Sequence, residues 1–156
     1  MRTLSLHIAA LTAISLLTMS NACHKEDEES PCPNLEITTS QVAGLGHNPG
    51  CYIETPPLPG QFKNHVINSA AEYNALFNCP PPPIDFDTNT LLIGKTVTTS
   101  GNSIKSQQVQ QACNSYTYTV EIQQGLATVV QTTVYHALVP KLPAGAQVNF
   151  DIRVLP

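Results

Sequence analysis

Three oxygen-bearing side chains, Asp85, Asp87 and Asn89, occupy alternate positions just before an apolar run. This one-three-five spacing occurs in calcium-binding loops, where several oxygen ligands surround a hard cation. The pattern is incomplete, because Thr90 stands where such a loop needs glycine and Thr96 stands where it needs glutamate. We therefore predict a solvated turn here, with calcium as the weaker alternative, and we expect no bound cofactor.

The histidines are too far apart in the sequence to form a recognisable site. No C-x-x-C or H-x-x-x-H spacing occurs, which argues against zinc. His136 follows Tyr135 near a predicted strand end and is a candidate acid or base, although a packed imidazole is the expected outcome. Ser69 is predicted to cap a helix, and no G-x-S-x-G or S-x-x-K motif occurs. We expect a non-catalytic protein.

Five cysteines are present, and one of them, Cys23, is set aside below as a lipidation site. The remaining four form an even set, which in an exported protein predicts two disulfides. Three pairings are possible and the sequence does not separate them. The shortest loops favour Cys32 with Cys51 and Cys79 with Cys113.

The amino terminus has the pattern of a secretory signal. Arg2 precedes an apolar stretch that ends in small residues and is short for a transmembrane helix. Residues 20–23 read Ser-Asn-Ala-Cys and resemble a bacterial lipobox, which predicts a signal peptide at 1–22 and a lipidated Cys23. Cleavage by an ordinary signal peptidase is the alternative. Two or three acyl chains, palmitate among them, would anchor the chain stably to a membrane.

The residues after Cys23 look like the export signal of bacteroidete lipoproteins. After Cys23 and His24 come Lys25, Glu26 and Asp27, within an acidic tether at 23–31. The resemblance implies an outer-membrane lipoprotein displayed at the cell surface, with a periplasm-facing protein as the alternative. A solvated acidic spacer that carries no export signal is the simpler interpretation of the same charges.

Composition excludes one class of partner. Seven lysines and arginines are spread along 156 residues, which gives no basic surface for nucleic acid. Four of the eleven acidic residues lie in the tether, so the single domain predicted at 32–156 is nearly neutral. Its surface must depend on Thr, Asn, Gln and Ser for solubility, and it offers little electrostatic steering to a charged partner.

The domain is predicted to be mainly β, an antiparallel sheet or small sandwich with one packed helix. Ser69 and Glu72 form a capping box that begins a helix at about 70–78, and Tyr73, Leu76 and Phe77 make its buried stripe. Period-two alternation predicts that Tyr116, Tyr118, Val120 and Ile122 face inward, with a hairpin turn at 123–125 in which Gly125 adopts a positive φ. The predicted strands and strand segments are 35–37, 51–54, 91–98, 116–122, 126–134 and 146–154, with a bulge or irregular edge in 103–112.

The order of these features resembles the PrcB-like lipoproteins, named for a subunit of a surface protease complex. The resemblance covers about 62–155: a short helix, then Ile84, Asp85 and Phe86, an apolar strand at 91–94, and an aromatic-to-Val-Pro-Lys stretch at 135–141. It implies an accessory or stabilising subunit that binds another exported protein, possibly a protease. A small-ligand or glycan-binding lipoprotein is the alternative, with Tyr116 and Tyr118 as stacking candidates if they face outward.

Overall fold

The computed structural model describes residues 32–47, 49, 51, 52, 54 and 58–156. Within these residues the chain forms seven strands and one helix: β1 (Leu35–Ile37), β2 (Phe62–Ile67), α1 (Ala70–Ala75), β3 (Asn89–Thr98), β4 (Asn102–Ala112), β5 (Ser115–Gln124), β6 (Gln131–Pro140) and β7 (Gln147–Leu155). Sheet A has the strand order β1-β4-β5-β7, and sheet B has the order β2-β3-β6. All neighbours are antiparallel except β5 and β7, which are parallel. The predicted mainly β fold with one short helix is confirmed.

The two sheets pack face to face over an apolar core. Side chains from both sheets fill the space between them: Leu92, Val109, Tyr116, Tyr118, Val120, Ile122, Tyr135, Ala137, Val139 and Leu142. The four β5 members of this core were all predicted to face inward, and that prediction is confirmed. The apolar residues of β7 pack against the same core but are only half-buried, because β7 lies at the edge of sheet A.

A second core covers the other face of sheet B. The helix and the loops before β2 pack on that face through Leu45, Tyr52, Ile67, Tyr73, Phe86, Leu91, Ile93 and Val134. The central strand β3 is therefore covered on both sides, and all of residues 91–98 are buried. A strand buried on both faces is apolar on both faces, which is why residues 91–94 show no polar alternation.

The helix begins where the capping box predicts. The Ser69 hydroxyl accepts a hydrogen bond from the Glu72 N–H at 3.2 Å, and the Glu72 carboxylate accepts from the backbone N–H of Asn68 at 2.9 Å rather than from that of Ser69. The Asn68 N–H and then the Ser69 hydroxyl lower the pKa of Glu72. The helix ends at Ala75, earlier than predicted, although Leu76 and Phe77 still pack against the second core.

The predicted hairpin between 116–122 and 126–134 is wrong. β5 pairs with β4 and β7, whereas β6 pairs with β3, so the connection at 125–130 crosses from sheet A to sheet B. Gly125 is not among the residues with positive φ; the true hairpin joins β4 to β5, and there Cys113 adopts the left-handed conformation, with φ 52°. Period-two alternation reports which face a residue occupies and not which strand lies beside it, so the pattern could not separate these arrangements.

Two other strand predictions had mixed outcomes, and one strand was not predicted. The irregularity expected in 103–112 is a register shift between Ile104 and Ser106 within a continuous β4. In the predicted strand 51–54, Tyr52 forms only an isolated bridge with Phe77. β2 was not predicted, because its sequence mixes polar and apolar residues without a clear period.

The four cysteines form two disulfides, as expected, but the favoured pairing is wrong. The bonds join Cys32 to Cys113 and Cys51 to Cys79, across 81 and 28 residues of sequence. Pairing of β1 with the end of β4 brings Cys32 beside the β4–β5 turn. Strand pairing, and not loop length, therefore decides which cysteines meet.

Candidate functional site

The predicted turn at 85–89 is held together by its own donors. The Asp85 carboxylate accepts from the Asp87 N–H at 3.0 Å and from the Thr88 hydroxyl at 2.7 Å. The hydroxyl of Thr88 and then the N–H of Asp87 lower the pKa of Asp85. The Asn89 side chain directs its NH₂ group to the Asp85 carbonyl, at 3.0 Å. Donors from the turn itself thus bind the Asp85 carboxylate. These contacts lend no support to the calcium alternative.

His136 lies in the packed interface between β6 and the 41–47 loop. It is 6% exposed, and its Nε2 accepts a hydrogen bond from the Val42 N–H at 3.1 Å. Nε2 is therefore unprotonated, which places the proton of the neutral ring on Nδ1. Nδ1 has no hydrogen-bond partner. Burial lowers the pKa of His136, so the ring stays neutral near pH 7.

The other histidines do not join His136 in a catalytic group. His47 is exposed on the 41–47 loop, and His65 lies on β2, where its Nε2 is 3.3 Å from Glu54 Oε1. His24 lies outside the described residues. Within those residues, no group of three or more His, Cys, Asp or Glu side chains is close enough to hold a metal ion.

Lys95 is a buried cation that the sequence analysis missed. It is 4% exposed, and its Nζ donates to the carbonyls of Tyr52 at 2.9 Å, Pro49 at 3.0 Å and Glu54 at 3.4 Å. The ammonium also lies 5.3 Å from the centre of the Tyr52 ring. Burial lowers the pKa of Lys95. These contacts bind the loop before β2 to the outer face of sheet B, which is a structural task.

The alternation of side chains along β3 already indicated that Lys95 lies on a buried face. Leu91, Ile93, Lys95 and Val97 share one face of β3, so a lysine in this series must either disrupt a buried face or find acceptors there. The carbonyls of a covering loop supply those acceptors. Sequence alone does not reveal which loop covers the face.

The aromatic side chains are buried or half-buried, which gives little support to a stacking surface. All nine Phe and Tyr residues fall within the described part of the chain, and none is classed as exposed. Tyr116 is 6% exposed, and Tyr118 is fully buried between the sheets. The expectation that these two tyrosines face inward is confirmed, and the glycan alternative loses its aromatic support.

One end of the sandwich carries a group of exposed aliphatic side chains. Leu126 is fully exposed, Val130 is 69% exposed and Val129 is 51% exposed. These residues belong to the crossover between β5 and β6, which we call the crossover segment (residues 125–130). Alternation in residues 126–134 predicted Leu126 and Val130 inside a strand, so this surface was not expected from the sequence. The adjacent pair Val129 and Val130, which breaks the alternation, was the available signal.

The crossover segment is held in place by backbone hydrogen bonds. Gly101 N–H donates to the Ala127 carbonyl at 2.9 Å, Gly125 N–H donates to the Gly101 carbonyl, and Val129 N–H donates to the Ala127 carbonyl. Three exposed aliphatic side chains within five residues of a defined backbone are consistent with an interaction surface. This surface is the candidate functional site.

The predicted lipidation and export residues, Cys23, Lys25, Glu26 and Asp27, lie outside the described residues. No helix in the described part of the chain is long and apolar enough to span a membrane. Two disulfides are typical of a protein that folds outside the cytoplasm. Comparisons with protein-family models, with curated proteins and with solved structures find no match to this chain.

Proposed function

We propose that this chain is a lipid-anchored outer-membrane protein that binds another exported protein as an accessory or stabilising subunit and has no catalytic role of its own. The observation that carries the proposal is the crossover segment, where Leu126, Val129 and Val130 are exposed on an ordered backbone. Exposed apolar side chains that lie close together on a protein surface are a known mark of protein–protein interaction sites.

The anchor and the cell-surface location rest on the sequence. Cys23 supplies the thiol for a diacylglyceryl group, and Lys25, Glu26 and Asp27 supply the surface-export pattern. The disulfides support an oxidising compartment. The resemblance to PrcB-like lipoproteins adds the class of partner, a surface protease or another subunit of its complex.

The function is tested by capturing the partner from intact cells. The tagged full-length protein is crosslinked in its native cells, solubilised in mild detergent and purified, and the captured proteins are compared with an untagged control by mass spectrometry. One dominant exported protein supports the proposal. Capture of the protein alone contradicts it and shifts attention to small ligands.

The anchor and its orientation are tested separately. Mass spectrometry of the mature amino terminus should show an acylated Cys23, and an unmodified terminus would remove the lipoprotein proposal. Protease treatment of intact cells should digest a surface-displayed protein, whereas a periplasm-facing one survives.

A small-ligand function is the second candidate. A cavity of about 360 Å³ lies beside His136, between the 41–47 loop and Ile104 of β4. The Nδ1 of His136 has no hydrogen-bond partner and almost no exposed surface. A ligand in the cavity would reach this nitrogen only if the 41–47 loop moved, which makes this candidate weaker than the crossover segment.

A further inference from the structure

The long edge strand of sheet A has an open outer side. β7 pairs with β5 along all nine of its residues, from Gln147 to Leu155. On its opposite side, no other strand of the described residues pairs with it, and no loop of those residues forms a backbone hydrogen bond with it. A row of backbone donors and acceptors is therefore available to another strand.

The other sheet edges carry protection that β7 lacks. β1 has only three residues, β2 carries the exposed Lys63, and the β6 edge is bridged by Ser40 at Leu138. β7 contains no Lys, Pro or Gly, and its register with β5 shows no shift. Short strands, lysines, prolines and bulges are the usual means of preventing an edge from pairing with another chain. β7 is therefore the edge best suited to accept a strand.

The inner face of β7 also has incomplete cover. Its apolar residues are half-buried, although each lies beside a buried residue of β5 in the register of the two strands: Val148, Phe150, Ile152 and Val154. A strand added beyond β7 would place its own inward side chains against these four and extend the core.

The two charges of β7 select the partner strand and its register. Side chains of the same face must lie opposite each other for the core to continue, so a two-fold axis between antiparallel copies of β7 passes through a residue. An axis at Asp151 or at Arg153 places that charge against its own copy. An axis at Phe150 places Asp151 opposite Asn149. An axis at Ile152 places Asp151 of each copy opposite Arg153 of the other.

This register forms a closed ring of alternating charges. Arg153 Nη2 already lies 2.5 Å from Asp151 Oδ2 in the same chain, and both side chains are partly open to solvent. In the paired strands each arginine lies between two aspartates, one from each copy, and no like charges are directly opposite. At exposed positions these pairs select the register, whereas main-chain hydrogen bonds and the apolar inner face supply the affinity.

We infer that β7 is the interface of a homodimer. Two copies of this chain pair β7 with β7 in antiparallel orientation about a two-fold axis at Ile152, and the two copies of sheet A become one continuous sheet. The strand is complementary to itself in charge and in its half-buried apolar face, which is why a second copy is the occupant. The inference goes beyond the proposed function and uses neither the lipid anchor nor the exported partner.

The inference is tested by charge reversal in the full-length protein, with native mass spectrometry in detergent as the measurement. Asp151→Arg and Arg153→Asp each place like charges opposite each other at the axis. Each variant alone should dimerise at least about tenfold more weakly than the wild type. An equal mixture of the two should form a heterodimer, because positions 151 and 153 then face opposite charges. The ion pair within each chain stays broken in the mixture, so the recovery reports only on the contact between chains.

The matched control is Glu36→Arg. Glu36 is exposed on β1, at the other edge of sheet A, and its reversal changes the charge of the chain by the same amount as Asp151→Arg. This variant should dimerise as the wild type does. Unchanged melting temperatures confirm that all three variants remain folded.

A cysteine at the axis identifies the occupant on intact cells. Ile152→Cys should form a disulfide between two copies, because residues opposite each other in antiparallel strands have Cα atoms about 4.5–5.5 Å apart. Asn149→Cys should not, because the two copies of position 149 lie about 20 Å apart in this register.

Each other outcome overturns the inference. A wild-type protein that stays monomeric, or a dimer that persists in both charge variants, excludes this interface. Variants that remain monomeric when mixed exclude the pairing of positions 151 and 153. A disulfide from position 152 to a different protein shows that the edge has another occupant. The proposed function stands or falls by its own pull-down and is not affected by these results.

Discussion

The side-chain amide of Gln131 pairs with both backbone groups of Asn102, as a neighbouring strand would. Asn102 N–H donates to Gln131 Oε1 at 2.9 Å, and Gln131 Nε2 donates to the Asn102 carbonyl at 3.0 Å. Gln131 is the first residue of β6 in sheet B, and Asn102 is the first residue of β4 in sheet A. The pair therefore joins the two sheets beside the crossover segment.

Gln131→Ala should destabilise the domain by about 1–3 kcal/mol, because it leaves the partly buried N–H and carbonyl of Asn102 without partners. Urea unfolding monitored by circular dichroism measures the change. Gln110→Ala is the matched control, since Gln110 is exposed and its side chain makes no hydrogen bond to any of the described residues. Equal stabilities for the two variants would contradict a bridging role for Gln131.

Gly94 is required by a close approach between two side chains. Tyr135 Oη donates to Asn64 Oδ1 at 2.5 Å, directly across the Gly94 position. A Cβ at Gly94 would lie 2.4 Å from Asn64 Oδ1 and 2.4 Å from a ring carbon of Tyr135. Gly94→Ala should therefore cost about 3 kcal/mol, the upper end of the usual overpacking range.

The control for Gly94 is Gly101, whose added Cβ would meet nothing closer than 3.6 Å. Gly101→Ala should change the free energy of unfolding by less than about 0.5 kcal/mol. Thermal melts of both variants give the comparison. Equal stabilities of the Gly94→Ala and Gly101→Ala proteins would show that the side chains of Asn64 and Tyr135 can move apart at little cost.

Local patterns predicted local structure in this chain. The capping box located the start of α1 because its hydrogen bonds join residues at most four apart. Alternation located the buried face of β5 because side-chain direction follows from strand geometry alone. Both signals depend on interactions that the sequence spacing itself defines.

Features that depend on distant partners were not predictable in the same way. The choice of neighbours for β5 and the pairing of Cys32 with Cys113 depend on how the sheets assemble, across 81 residues in the case of the disulfide. The exposed crossover segment was missed for the same reason. It connects strands of two different sheets, and its aliphatic residues have the composition of a buried strand.

Lys95→Met tests whether the buried ammonium holds the loop before β2. The methionine keeps an apolar stem but donates no hydrogen bond to the Tyr52, Pro49 and Glu54 carbonyls. Loss of the charge-assisted hydrogen bonds destabilises the fold, and removal of the buried charge offsets part of that loss. We expect a net destabilisation of about 1–3 kcal/mol and faster cleavage of this loop by protease.

Lys63 is a matched control for Lys95, because the two residues are register partners on β2 and β3 and Lys63 is exposed. Lys63→Met should leave both the stability and the cleavage rate nearly unchanged. Similar cleavage rates for the two variants would mean that the loop is held by its packing and not by the lysine.

His136 should make the stability of the domain depend on pH. Burial lowers its folded-state pKa below the ordinary value of 6.5. As the pH falls below 6.5, the unfolded chain binds a proton that the folded chain still excludes, so the free energy of unfolding decreases until the folded-state pKa is passed. Above pH 7 both states are neutral and the effect of His136 disappears.

His136→Gln isolates this effect, because a glutamine Oε1 can accept the Val42 N–H in place of Nε2 and does not titrate. Chemical denaturation is repeated between about pH 6.5 and pH 5. As the pH falls across this range, the wild type should lose more unfolding free energy than the variant does. His47→Gln should change the same difference much less, because burial is the larger cause of the lowered pKa of His136 and the charge of His47 only adds to it. A wild-type-minus-variant difference that does not change with pH would mean that the 41–47 loop opens readily enough for water to solvate the His136 cation.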